Sequence, residues 1–209
     1  MQDKVLQWAP AAFVYLLWMS VMIMTQVLLT STIEEKSNRV IEVLLSSVSS
    51  LELMSGKIAG SVATGLTMVL SWAFFFILLT SLLPLAVDLG SLDLGAILTN
   101  PVYCFSFLGY FLMGYLFFAA LLVGLGSACN SLKEAQNLMQ PVMILFIVPL
   151  LALVPITMDP QGTLARVLSF IPPFTPFVMM NRAAGPPETW EYVATTLLML
   201  VSVTLAFWA

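Results

Sequence analysis

The sequence predicts an all-α polytopic membrane protein, a helical bundle that crosses the bilayer five times. Three observations carry this. Hydrophobic residues make up 60% of the 209 residues and charged ones only 9%, with a mean hydropathy of +1.02. A water-soluble domain of this size cannot hide so much apolar surface. Five apolar runs, 10–30, 58–83, 102–126, 139–156 and 192–208, are long enough to cross about 30 Å of hydrocarbon. The charges fall between them. Glu34, Glu35, Lys36, Arg39, Glu42, Glu52 and Lys57 are seven of the eighteen (7 basic plus 11 acidic) and lie within 34–57. A charge at the bilayer centre costs roughly 2.5–3.5 kcal/mol, so seven together, on the order of 20 kcal/mol, place this stretch outside the hydrocarbon.

The elements follow in chain order. The first span, Pro10–Thr30, is no signal peptide. Asp3 cancels Lys4, the apolar stretch is too long, and no A-x-A site follows. Next comes a polar insert. Over Glu34–Leu45, Ile33, Val40, Ile41 and Leu44 fall near one face of a helix. Glu35 and Arg39 stand four apart with the acid first, the favourable order, and Arg39 also reaches Glu42. The run SSVSS breaks this helix. Ser49-x-x-Glu52 then forms a capping box that starts the next one, and that helix continues through Gly56 and Lys57 into the second span, Ile58–Leu83.

The third span, Val102–Gly126, has Cys104 and Cys129 at its two ends. About 37 Å of helix separates them, which rules out a disulfide. The fourth, Met139–Ile156, contains Pro149, which cannot donate to the Leu145 carbonyl and should kink the helix. Two short pieces follow. Asp159-Pro160 reads as an N-cap followed by Pro at the first helical position. Leu164, Val167, Leu168 and Ile171 then make an apolar stripe with Arg166 off it. Thr175-Pro176 repeats the cap signal, and Gly185 closes the second piece. The pair is expected to lie at the interface or to re-enter the bundle. The fifth span, Tyr192–Trp208, is only just long enough.

Orientation is weakly encoded. With the N-terminus outside, Lys36, Arg39, Lys57 and Lys133 face inward and Lys4, Arg166 and Arg182 outward, a marginal positive-inside excess.

Several function classes are excluded. There is no histidine, which removes imidazole catalysis and imidazole metal sites. Gly56-Lys57 is the sole GK pair, and a P-loop would need Gly at 51 and Ser or Thr at 58, where Leu51 and Ile58 stand. The spans hold no Asp, Glu, Lys or Arg beyond their ends, so no catalytic, cofactor or metal residue is assigned and the chain is not expected to be an enzyme. A net charge of −4 argues against nucleic acid. Thr64, Thr67 and Ser71 follow helical spacing. They could line a polar path, or simply bond to their own backbone. On residues alone, the insert is either a solvated connector, with ion pairs contributing under about 1 kcal/mol each, or a docking element.

The stretch EEKSNRVIEVLLSSVSSLELMSGKIAG resembles the cytoplasmic insert of ABC-2-type exporter permeases, and most closely the branch that includes sodium-efflux permeases. CNSLKEAQNLMQP, 129–141, is similar to the second inner loop of that family, and FIPPFTPFVMMNRAAG, 170–185, to its outer segment before the last span. The resemblance covers almost the whole chain. It implies a multi-pass permease of the inner (plasma) membrane with its N-terminus outside, working as a homo- or heterodimer with an ATP-binding-cassette ATPase subunit. Glu34, Glu35, Lys36, Arg39 and Glu42 would belong to the coupling helix seated on that ATPase. Lys133 and Glu134, with Gln136 and Asn137, would make a smaller second contact. It also implies that residues 1–209 are one transmembrane domain cut from a longer chain, without a first span, an outer domain and a C-terminal tail. The alternative is a membrane anchor or assembly protein that transports nothing. No carboxylate lies within the spans, so an amphipathic or lipid-like substrate suits them better than sodium.

Overall fold

A computed structural model describes residues 2–37, 48–82, 101–129, 131–183 and 187–208. All regular structure among them is helical: α1 Gln2–Ser37, α2 Ser50–Leu82, α3 Pro101–Ser127, α4 Leu132–Met158, α5 Thr163–Ser169, α6 Thr175–Arg182 and α7 Thr189–Trp208. The five long helices are each apolar and long enough to cross a membrane, which bears out the five spans. The segment 38–47, with Arg39 and Glu42, lies outside the described residues, as does Gly185.

Helix α1 is the axis of the bundle and packs against α2, α3, α4 and α6. Its buried residues Val14, Leu17, Val21, Met24 and Leu28 recur at helical spacing, so one continuous seam meets its neighbours. The same seam carries Ser20 and Thr25, which donate back to the Leu16 and Val21 carbonyls at 2.8 and 2.6 Å. A buried hydroxyl in an apolar helix is thereby satisfied without a partner helix.

Close approach depends on glycine at three places. A Cβ on Gly65 would meet Phe111 at 2.9 Å, one on Gly126 would meet Leu29 at 2.9 Å, and one on Gly114 would meet Pro176 at 3.0 Å. These are the crossing points of α2 with α3, α3 with α1, and α3 with α6. Small residues thus allow close helix packing at 65, 114 and 126. At Gly56 and Gly60 nothing approaches within 4 Å.

Helix α4 runs unbroken through Pro141, Pro149 and Pro155. Beside Pro149, the Phe146 carbonyl accepts a 2.6 Å hydrogen bond from the Trp18 indole of α1. Ser131 caps this helix by accepting from the Glu134 N–H at 3.3 Å.

The two short helices depart from the sequence expectation. Asp159 does not start a helix. It ends α4, its N–H donating to the Pro155 carbonyl at 3.0 Å, and α5 begins only at Thr163 after Gly162. Thr175 does not cap α6 either. Its hydroxyl points backward, donating to the Ser169 and Ile171 carbonyls at 2.8 and 3.0 Å. The stripe on α5 is divided: Leu168 and Ile171 pack inward, while Leu164 and Val167 are exposed. Every residue of α6 is buried, with Phe177 against Phe118 and Phe146, both centroids at 6.3 Å. Of the two placements expected for this segment, insertion into the bundle holds for α6.

Candidate functional site

Charged and polar side chains gather at the two ends of the bundle. At the insert end, Glu34 and Glu35 close the apolar run of α1, and Lys57 opens that of α2. Lys57 Nζ and Glu35 Oε2 are 2.7 Å apart. The pair joins the two helix ends that bracket the insert. The sequence had placed Glu35 opposite Arg39; among the described residues the partner of Glu35 is Lys57. Ser49 accepts from the Glu52 N–H at 3.3 Å, and its own N–H and hydroxyl donate to Glu52 Oε2 at 2.9 and 2.7 Å. The expected capping box is therefore present. These bonds, the hydroxyl's first, hold the Glu52 carboxyl below its usual value.

Lys133 and Glu134 are exposed on the first turn of α4. This turn belongs to the same end, because Thr30 of α1 and Gln136 of α4 line one cavity of about 300 Å³. Gln26 and Gln140 also line it, with Met139 and Met143 beside them on α4. Gln26 and Thr30 are four apart, as are Gln136 and Gln140, a spacing that places each pair on one helix face. That signal was in the sequence, but the two pairs lie too far apart along the chain to be joined. The side chain of Lys36, like Arg39 and Glu42, is outside the described set.

Thr64, Thr67 and Ser71 all lie on an exposed face of α2. Each hydroxyl donates to a carbonyl of its own helix, Gly60, Ala63 and Thr67 respectively, at 2.9, 2.8 and 2.8 Å.

At the opposite end the chain builds a cluster that sequence reasoning missed. Arg182, the last residue of α6, is fully buried. Its Nε donates to the Pro160 carbonyl at 2.8 Å, Nη1 to Ser169 Oγ at 2.9 Å and Nη2 to Gln161 Oε1 at 3.1 Å. Nη2 also pairs with Glu191 of α7, 1% exposed. Glu191 Oε1 takes Arg166 Nε at 3.1 Å, and Arg166 Nη2 lies 3.7 Å from Glu188. Asn181, beside Arg182, donates to Thr157 Oγ1 at 2.9 Å. A guanidinium with all of its fork engaged ties the turn after α4 and the helices α5, α6 and α7 into one arrangement.

The insert end can bind something charged, and the opposite end is closed on itself. Among the described residues, neither offers a nucleophile with a base, nor a phosphate cradle.

Comparison with known proteins fits this arrangement. Residues 2–209 match the ABC-2 family transporter protein domain. The chain is similar to uncharacterized protein MJ1024 of Methanocaldococcus jannaschii, 33% identical over 96% of this chain and 47% of that one. It is also similar to uncharacterized protein YhaP of Bacillus subtilis, 27% identical over 80% of this chain and 41% of that one. The chain thus spans less than half the length of these relatives. No solved structure matches. The family match covers the five spans, the bracketed insert and the buried α6 alike, and with it this multi-pass chain belongs to the ABC-2 family of transporter proteins.

Proposed function

We propose that the chain is the membrane-spanning permease portion of an ATP-binding-cassette exporter of the plasma membrane. A separate ATPase subunit docks at the insert end and supplies the energy, and a second permease completes the pathway. The observation that carries this reading is the Glu35–Lys57 pair. It clamps the end of α1 to the start of α2, so a push on the insert between them moves two long helices as one lever. An element tied at both ends passes on force that a loose connector would absorb. Exposed Lys133 and Glu134 supply the smaller second contact. The polar cavity between α1 and α4 lies next to this lever, where a tilt of α1 changes its width. The hydroxyls of Thr64, Thr67 and Ser71 face away from the bundle, towards the side where a second permease would contribute the rest of a path.

The test is co-expression with a candidate ATP-binding-cassette ATPase subunit, read as transport and permease-stimulated ATP hydrolysis. Truncating one partner of a desolvated interface pair costs about 2–5 kcal/mol, so Arg39→Glu or Lys133→Glu should cut both activities about tenfold or more. Membrane insertion and thermal stability should stay unchanged. Full activity in both variants would leave the insert as a plain connector. An ATPase that never associates would favour a non-transporting anchor.

A further inference from the structure

A cavity of about 420 Å³ lies between α1, α2 and α3 at the end away from the insert, within the roughly 300–1,000 Å³ typical of small-molecule sites. Its origin is the crossing at Gly65. There α2 touches Phe111 and Met24, and one turn further along the helices leave a gap. Phe13, Leu16, Leu66, Leu70 and Phe107 line it, and Tyr103 joins them. Leu70 and Leu108 at its edge are exposed on the outside of the bundle. In a chain that crosses the bilayer, such a mouth opens sideways into lipid.

One atom does not fit an apolar filling. Tyr103 is 4% exposed, and its buried hydroxyl has no hydrogen-bond partner among the described residues. A buried donor left unsatisfied is costly, and the lining is aromatic and aliphatic save for Cys104, whose sulfur is only a weak acceptor. Phe13 meets the ring edge-on at 5.7 Å. The depth of Tyr103 indicates what could accept. Helix α3 has 27 residues, about 40 Å at 1.5 Å per residue, against about 30 Å of hydrocarbon. Centred, it extends about 5 Å beyond the hydrocarbon at each end, and Tyr103, two residues in from Pro101, lies at that boundary. The oxygens linking the chains of a glycerol lipid to its headgroup lie at the same level. No cation lines the cavity, so an anionic fatty-acid carboxylate would enter without a counter-charge. A neutral acceptor carries no such cost.

We infer that this cavity holds one hydrocarbon chain of a glycerol membrane lipid, with the neutral linkage oxygen of that chain accepting a hydrogen bond from the Tyr103 hydroxyl. The lipid fills the space beside α2 that the bundle leaves open. This site is separate from the insert end and does not depend on an ATPase.

The test uses the purified protein in lipid nanodiscs with a diacyl phosphatidylcholine carrying a diazirine in one acyl chain. After irradiation, cross-links are mapped by mass spectrometry. Peptides holding Leu66–Leu70 and Phe107–Leu108 should be labelled about fivefold more than the exposed face of α4 at Ile144 and Leu151. Leu66→Trp fills the cavity and should bring the excess to zero. If that variant does not insert, Leu70→Trp at the mouth gives the same reading. Tyr103→Phe keeps the ring and loses one hydrogen bond, so its excess should fall about threefold. A free fatty acid bearing the same diazirine should show no excess. Even labelling of all exposed faces, or an excess that survives both tryptophan variants, would overturn the site. An unchanged excess in Tyr103→Phe, or an equal one for the fatty acid, would overturn the assigned ligand chemistry.

Discussion

The two ends of the bundle use the same chemistry to different ends. Each holds an ion pair between two helices. At the insert end, Glu35 and Lys57 meet at 2.7 Å with both side chains partly exposed. At the other end, Arg182 and Glu191 are both fully buried, and four further acceptors or charges close around them. Coulomb attraction is screened in the first and strong in the second, and so is the penalty for breaking it. A pair that water reaches can exchange its partner for another protein. A pair that water does not reach can only hold a structure together. Under the proposed function, this difference gives docking to one end and anchorage to the other.

The largest effect is expected from breaking the buried end. Arg182→Met leaves Glu191 as a buried charge with only Arg166 to face, and should destabilise the protein by about 3–5 kcal/mol. Thermal unfolding in detergent measures it. Combining Arg182→Met with Glu191→Gln removes the stranded charge and should recover much of the loss. A near-normal melting temperature for the single variant would make the two ends equivalent and end the comparison. Gly114→Ala sharpens it. The added methyl would press on Pro176 at 3.0 Å and push α6 out of its seat, at a cost of about 1–3 kcal/mol. If α6 anchors this end, the same substitution should raise proteolysis near Arg166 and Arg182 without loosening the Glu35–Lys57 end.

The sequence made one end readable and hid the other, for a physical reason. The insert is a contiguous run of charge between apolar runs, and both the spans and the Ser49–Glu52 box follow from local spacing. Cap chemistry alone misplaced the start of α5 and misread the cap of α6. Asp159 is used to finish α4, and the Thr175 hydroxyl is drawn back to Ser169. The Arg182 cluster gathers residues from Pro160 to Glu191 across a turn and three helices, and no periodicity connects them. Arg182 and Arg166 counted only as outer charges, and Glu191 as the residue before a span. Glu35 was paired locally with Arg39 because four-residue spacing is visible in a sequence, whereas contact with Lys57 depends on how α1 and α2 pack.

The smallest expected effect is at the insert end, and it separates stability from function. Lys57→Glu sets two acids side by side where a partly exposed pair stood. Exposed pairs contribute about 0.2–1 kcal/mol, so the melting temperature should fall only slightly. If the pair is the clamp of a lever, ATP-driven transport should fall much further than stability does. The charge-swapped double variant, Glu35→Lys with Lys57→Glu, rebuilds the clamp with its polarity reversed. Two outcomes can then be told apart. Recovery of transport means that the pair acts on its own helices, and docking rests on Arg39 and Lys133. Loss of transport in the swap, with stability restored, means that the docked partner reads the charge of Glu35 itself. A swap that restores neither would show that the 2.7 Å contact holds nothing in the membrane, and the insert end would then be no lever at all.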